Sequence, residues 1–335
     1  MRHIRQIALQ EIGKKGQEQL RQSFATIVGI GALGTVVAEL LCRAGIGKLL
    51  LIDRDLVEIS NLQRQSLFNQ NDLGKPKAES AEKHLKLIDD SIITASHNLN
   101  LTGENINIIK SDIVLDCTDN LETKMLLNEY CIKNNIPLVH GSALGTKGFV
   151  FVSTKNACLN CIYSSKKSEM SCESGGVLNT ITHLVASLQA NEAVKILTGK
   201  MPEESLIMAD IWNNEFEKIK VRRNINCEVC NGIYELLEAQ KMNEKSKEQG
   251  IENLELTIKP CKTESAMRVI PKPNISINFN KLKNNFKTIA EAQNLIVLEK
   301  EGEIIVFRHG ELLFKDLKDI HKIESIAREI YISGV

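Results

Sequence analysis

Four cysteines in two short pairs, Cys158-x-x-Cys161 and Cys227-x-x-Cys230, carry the sharpest chemical signal in this 335-residue chain. Two such pairs supply four thiolates in a tetrahedron, the shell that Zn²⁺ takes in a closed structural site. A full shell of four thiolates leaves no position for water, so the spacing predicts a structural Zn²⁺ that pins segment 207–230 back onto the fold. A redox disulfide is disfavoured by the lack of a thioredoxin-like setting.

A second group of chemistry-bearing residues begins at Gly29-Ile-Gly31-Ala32-Leu-Gly34. An apolar run at 25–28 precedes it, a helix-period segment (Val36, Val37, Leu40, Leu41) follows as far as Gly45 and Gly47, and the apolar run 49–52 ends on Asp53. Strand, glycine turn, helix, strand and carboxylate make the first half of a nucleotide-binding Rossmann-like unit. Its glycines let the backbone approach a phosphate, its helix N-terminus offers unpaired N–H groups, and Asp53 falls where a ribose hydroxyl needs an acceptor. An adenine nucleotide is the ligand implied.

Beyond Asp53 the chain sets Asp55, Asn61, Gln63 and Arg64 in one loop, with Lys77 further on. A nicotinamide dinucleotide has no need of these groups. A triphosphate carrying Mg²⁺ does, because its charge must be neutralised and its α-phosphate held while a carboxylate attacks. ATP with Mg²⁺ is therefore preferred to NAD, and an NAD-dependent oxidoreductase would leave Arg64, Lys77 and Asp119 unexplained. No G-x-x-x-x-G-K-[ST] is present, which separates the chain from Walker-type ATPases.

The elements that must position these groups can be read from periodicity. Residues 1–22 form a polar helical lead-in with Arg5 near its start. Pro76 suits a helix start, which places Lys77 in a first turn, where a cation needs an anion nearby. Residues 92–100 alternate as a strand, 106–109 form a short helix, and 113–115 form a buried strand running into Asp116-Cys-Thr-Asp119-Asn120. That is the carboxyl end, where open α/β sheets bind ligands, and Asp119 is either a Mg²⁺ ligand or the N-cap of the helix beginning at Leu121. A lone His140 at the end of strand 137–141 reads as packed or hydrogen-bonded. A strand over 148–152 leads to Cys158, and Thr180–Thr198 reads as one long helix stopped by Gly199. Strands over 206–209 and 217–221 precede the second cysteine pair.

These elements predict an α/β fold, Rossmann-like and doubly wound, with a mostly parallel sheet and the four-cysteine zinc site. They occupy 1–235, followed by a charged linker over 236–255 and a small α+β domain over 256–335. In that last domain, alternation at Ile275 and Ile277, strands at 295–298, 303–307 and 312–314, and a terminal helix over 320–330 are expected.

Composition excludes several function classes. Lys+Arg and Asp+Glu both number 42, so no charge bias points to nucleic acid or to an anionic membrane. The first twenty residues lack an apolar signal core, and no apolar run reaches the ~18–20 residues of a membrane span. Nine cysteines, four of them in x-x pairs, fit metal and thiol chemistry in a reducing compartment, and a cytoplasmic protein is expected.

In order along the chain, Arg5-Gln6-Ile7, Gly29 to Gly34, Asp53 to Gln65, Lys77, Asp116 to Asn120, Cys158-x-x-Cys161, Cys172 ahead of Gly175-Gly176-Val177, and Cys227-Glu-Val-Cys230 resemble the ThiF/MoeB/HesA enzymes. These are bacterial and archaeal relatives of ubiquitin-activating enzymes, and the resemblance covers roughly the first two-thirds of the chain. It implies adenylation of the C-terminal carboxylate of a small ubiquitin-fold sulfur carrier protein ending in Gly-Gly. It also implies zinc on the four cysteines and a homodimer in which Arg5 reaches the partner's ATP site. From pattern alone, Arg5 is a solvated basic turn. Cys172 sits in a Ser/Lys/Gly-rich loop and reads as an idle thiol, a spare zinc ligand or a nucleophile; the resemblance implies the thiol that bonds the carrier's C-terminus. No rhodanese-like domain is apparent, and Cys261 stands alone, so sulfur is expected from a separate persulfide donor. Adenylation of a small-molecule or peptide carboxylate uses the same ATP residues and is the alternative; a non-catalytic scaffold would leave those residues without purpose.

Overall fold

The computed structural model describes residues 2–163, 176–237, 254–260, 266–272, 275, 277–291, 295–315 and 317–334. Cys172, Cys261 and most of the expected linker lie outside the described residues. The chain divides into two compact units, Met1–Lys241 and Met242–Val335.

In the first unit, helices α1 (Ile4–Ile7) and α2 (Gly13–Gln22) precede an alternation of strand and helix: β1 (Phe24–Val28), α3 (Gly34–Ala44), β2 (Lys48–Asp53), α4 (Lys77–Ile88) and β3 (Ile93–Asn98). It continues through β4 (Ile113–Asp116), α5 (Leu121–Asn134), β5 (Leu138–Leu144), β6 (Lys147–Ser153), α6 (Leu159–Tyr163), α7 (Asn179–Leu197), β7 (Ser205–Asp210) and β8 (Glu215–Lys220). The strands join in the order β3-β2-β1-β4-β5-β6-β7-β8. Period-two alternation sorts their side chains onto two faces. Ala25, Ile27, Leu49, Leu51, Ile113 and Leu115 pack with α3, α4 and α7, while Val28, Leu50, Ile52 and Val114 pack with Leu126, Leu127 and Tyr130 of α5.

The expectation of a mostly parallel sheet needs correction. Pairing is parallel from β3 to β5, but β5–β6, β6–β7 and β7–β8 are antiparallel. Gly145 and Thr146 alone separate β5 from β6, and so short a link can join only antiparallel neighbours. The sheet is mixed.

Register places the functional ends level. Val28 lies beside Ile52 of β2 and Asp116 of β4, so Gly29, Asp53 and Cys117 emerge at one height. The strand order reverses between β1 and β4, which makes their carboxyl ends the switch-point crevice of the sheet.

The second unit is built on β9 (Glu255–Pro260), β10 (Ala266–Lys272), β11 (Lys287–Glu291), β12 (Leu295–Glu299), β13 (Glu303–Phe307) and β14 (Leu312–Lys315), which join in the order β11-β12-β13-β14-β10-β9. Helices Phe279–Lys283 and Ile320–Gly334 add Phe279, Leu282, Ile323 and Tyr331 to its core. Three of its strands escape sequence reading. β11 is a polar edge and β10 contains Pro271, so neither offers a clean apolar alternation, whereas β9 does alternate (Leu254, Leu256 and Ile258 against Glu255, Thr257 and Lys259) but starts inside the charged stretch read as linker. Ile275 and Ile277 belong to no named strand, although Ile277 is buried. No described helix is long and apolar enough to cross a membrane.

Candidate functional site

The crevice is built by close backbone approach. Gly29 has φ +87°, and a Cβ there would stand 2.7 Å from the carbonyl oxygen of Cys117. A Cβ on Gly34 would stand 1.9 Å from the carbonyl oxygen of Gly29. The glycine loop therefore folds tightly on itself and against the turn after β4. Gly34→Ala is expected to destabilise the first unit by about 3 kcal/mol, the upper range for overpacking, read as a lowered midpoint in urea unfolding. Gly31 and Ala32 complete the loop, half-buried, and α3 follows its N-cap Leu33 with no side-chain cap, although the Thr35 N–H is already taken by Gly31 O at 3.1 Å.

Asp53 closes the floor of this loop. Its buried carboxylate accepts from the Ile30 N–H at 2.5 Å and from the Asp55 N–H at 2.8 Å. Burial raises its pKa to about 6, against an opposing pull from Lys77. Backbone pairing carries Lys77 to the same place: Val57 N–H donates to Lys75 O and Lys77 N–H to Asp55 O. Its buried ammonium meets Asp55 at 3.1 Å, and the charges of Asp53, Asp55 and Asp119 hold its pKa above the ordinary lysine value against the effect of burial. Asp55 thus supplies the anion that a cation in a first helical turn needs.

The rest of the loop after β2 is partly engaged in its own turn. Asn61 is buried and its amide oxygen accepts from Glu58 N–H at 3.2 Å; Arg64 donates to Ser60 O at 2.9 Å; Gln63 is exposed. Gln65, absent from the expected site residues, is buried, and its amide oxygen has no partner among the described residues. A Cβ on Gly31 would lie 3.7 Å from its Nε2, so this amide faces the glycine loop.

On the opposite wall, Asn120 rather than Asp119 caps α5, its amide oxygen accepting from Thr123 N–H at 2.8 Å. Asp119 is exposed beside the cap and near enough to Lys77 for their charges to interact. The turn bearing it is held from below by Asp116, which is fully buried and accepts from Thr118 N–H at 3.0 Å, Thr118 Oγ1 at 2.6 Å, Lys124 Nζ at 3.0 Å and His140 Nδ1 at 2.9 Å. Lys124 and His140 hold the Asp116 carboxyl well below the usual carboxylate range. His140 is buried and hydrogen-bonded as expected, although β5 runs on to Leu144 and places it within the strand rather than at its end.

Arg5 lies elsewhere. It is exposed on α1, which docks at the far end of α3, where Gln6 and Gln17 both donate to Ala44 O. Because α3 has 11 residues, about 16 Å of helix separates that end from the glycine loop.

The four paired cysteines converge. Their sulfurs all lie within 4.8 Å of one another, with hydrogen-bonding separations of 3.4–4.0 Å. A tetrahedron with Zn–S ~2.3 Å has edges of ~3.8 Å, so the donor set fits Zn²⁺. Asn224 N–H donates to Cys161 Sγ at 3.5 Å and Asn160 Nδ2 to Cys227 Sγ at 3.8 Å, contacts that orient thiolate ligands.

A family model described as the ThiF family matches residues 3–229. The sulfur carrier protein ThiS adenylyltransferase of Escherichia coli is 36% identical over 239 residues, covering 69% of this chain and 95% of the relative. The molybdopterin-synthase adenylyltransferase of the same organism is 37% identical over 240 residues, covering 69% and 96%. Among solved structures, E. coli MccB with ATP superimposes with a TM-score of 0.59 at 24% identity, over 64% of this chain and 69% of that one. At that identity the likeness bears on the fold.

Proposed function

The chain belongs to the ThiF family, and on that premise we propose that it adenylates the C-terminal carboxylate of a small ubiquitin-fold sulfur carrier protein ending in Gly-Gly. The observation that carries this reading is the convergence, at the β1/β4 switch point, of an uncapped glycine-loop helix, the Asp53–Asp55–Lys77 cluster and Asp119.

A carboxylate is a poor acyl donor until its oxygen becomes a good leaving group. One carboxylate oxygen of the carrier attacks the α-phosphorus of ATP, the bond to the bridging pyrophosphate oxygen breaks, and an acyl adenylate and pyrophosphate result. The amides of Gly29 to Gly34, together with Asn61, Gln63, Arg64 and Lys77, hold the phosphates. Lys77, kept charged and oriented by Asp55, offers a fixed cation where charge develops. Both oxygens of Asp53 retain acceptor capacity beyond the two N–H bonds they take, enough for a ribose hydroxyl. Asp119, flanked by Asn120, is the ligand for Mg²⁺, which when bound neutralises phosphate charge.

The position of α1 supports a homodimer. Arg5 is a helix length away from its own glycine loop, so a phosphate contact by this side chain requires Arg5 of the partner subunit. Cys172 is assigned to the step after adenylation: its thiolate attacks the acyl carbon, AMP leaves, and a thioester to the carrier forms. Gly176 and Val177 pair with Gly145 at the carboxyl end of β5, the same end of the sheet as Asp119. Sulfur comes from a separate persulfide donor, and the four cysteines hold structural Zn²⁺.

Exchange of labelled pyrophosphate into ATP tests the reading, with purified protein, Mg²⁺ and carriers tried with and without the terminal Gly-Gly. Exchange that needs the intact tail is expected. Exchange driven by a small carboxylate or a peptide instead would keep the ATP chemistry and replace the substrate.

The raised pKa of Asp53 gives a pH dependence with a definite sign. Above about pH 6 its carboxylate is ionised and accepts from the ribose; as pH falls through about 6 it protonates and nucleotide affinity falls. The effect on folding is opposite, because the folded chain binds this proton more tightly than the unfolded one; stability from Asp53 is present below 3.8 and lost as pH rises through about 6. ATP affinity measured by calorimetry from pH 5 to 8 is expected to show the acidic limb, and Asp53→Asn to lack it.

A further inference from the structure

A file of buried polar groups joins the turn that bears Asp119 to the backbone of the cysteine centre. From Asp116, the His140 ring spans to β6, its Nε2 lying 3.1 Å from Ser153 Oγ. Ser153 Oγ in turn accepts from Leu159 N–H at 2.9 Å, and Asn128 Oδ1 accepts from the same N–H at 3.0 Å. Leu159 directly follows Cys158 and opens α6, which carries Cys161. His140, Asn128, Ser153 and Asp116 are all essentially inaccessible to water.

The proton inventory sets the sense of the file from Asp116 as far as His140. Burial lowers the pKa of His140, so its ring is neutral, with one N–H and one acceptor. Asp116 also takes Lys124 and stays ionised, and so His140 Nδ1–H donates to it. Nε2 is then an acceptor, and the Ser153 hydroxyl, which receives Leu159 N–H, shares its single proton between Nε2 at 3.1 Å and Asn128 Oδ1 at 3.0 Å. The contacts from Leu159 N–H to Asp116 are direct at every step, while Asn128 Nδ2, beside the file, finds no acceptor among the described residues. A displacement of Leu159 therefore removes the acceptor orientation of Ser153, then the ring position of His140, then one of the supports of Asp116 and Thr118.

We propose that His140 is a positioning residue that couples metal loading of the four-cysteine centre to nucleotide binding at the Cys117–Asn120 turn. The inference rests on the nucleotide reading above and deepens it: the site is held not only by its own loops but through a buried path from the metal centre. Coupling of two binding equilibria is reciprocal, so bound nucleotide must tighten the hold on metal to the same degree as metal tightens the hold on nucleotide.

The test is an equilibrium competition for Zn²⁺ between the full-length zinc-loaded protein and a chelator that ignores Mg²⁺, with and without saturating Mg·ATP. In the wild type, Mg·ATP is expected to raise zinc affinity about 5- to 10-fold, within the ordinary range of coupling between sites. His140→Asn retains a donor where Nδ1 stands and lacks Nε2; His140→Gln reaches Ser153 and lacks Nδ1; Ser153→Ala leaves the His140–Asp116 bond in place. All three variants are expected to bind Mg·ATP in calorimetry yet show no shift in zinc affinity. A residue needed only for packing would lower stability and leave the shift unchanged. Zinc affinity indifferent to Mg·ATP in the wild type, or shifted equally in the variants, would overturn the proposal. Failure of the wild type to bind Mg·ATP at all would strike the functional reading itself and the inference with it.

Discussion

Asp119→Ala is expected to slow carrier-dependent pyrophosphate exchange by about 10³-fold, the loss that follows removal of one strong stabiliser of developing charge. Its melting temperature should stay within about 2 °C of the wild type, because exposed side chains that serve no cap or core contribute little to stability. The structure separates these outcomes cleanly. Asn120 caps α5, and Asp116 holds the turn through Thr118, so neither task falls to Asp119. Across the crevice, its charge acts on Lys77. Removing the carboxylate therefore removes the proposed Mg²⁺ ligand and leaves the scaffold that displayed it. Wild-type exchange rates in Asp119→Ala would dismiss the Mg²⁺ assignment, and a collapse in melting temperature would show that the turn depends on Asp119 after all.

Asn120→Ala makes the useful contrast. It removes a helix cap worth about 1 kcal/mol, so stability should fall while Asp119 remains. The two neighbours were not separable by sequence, since Asp and Asn are both good caps and adjacent positions both precede the first helical residue. Other features were legible because the residue type states the backbone requirement: Gly29 and Gly34 stand where a Cβ would collide with backbone carbonyls. The antiparallel half of the sheet was not, because 148–152 reads as a strand whatever the direction of its partner, and direction is set by the two-residue link before it. Asp116, Lys124 and His140 come from β4, α5 and β5, and only the folded chain brings them within 3.0 Å of one carboxylate. Gln65 was visible within its motif, yet nothing in spacing shows that its amide oxygen is buried without a partner among the described residues.

The four cysteines present the reverse case, in which sequence spacing and folded geometry make one demand. Cys227→Ser is expected to lower zinc content from about one ion per chain to well below it, and to lower the melting temperature by about 10 °C or more. The magnitude follows from what the centre holds together. Cys158 and Cys161 flank the start of α6 beside β6, whereas Cys227 and Cys230 lie beyond β8, and the sulfurs meet across a separation of 69 residues at 3.6 Å and 3.5 Å. Structural zinc in small metal-folded domains contributes roughly 10 kcal/mol or more; a larger unit with its own core depends on it less, and about 3–5 kcal/mol is the expected loss. Four uncoordinated thiols packed this closely would instead be protonated or oxidised, and their removal would cost little. Metal analysis paired with thermal unfolding decides between these states, since the zinc reading requires both quantities to fall together. Catalysis should respond less directly, because a closed shell of four thiolates offers no open position to a substrate. Cys227→Ser is expected to retain exchange activity at temperatures where it stays folded, with weaker nucleotide binding, whereas an unchanged melting temperature in a zinc-free variant would remove the metal from any structural role.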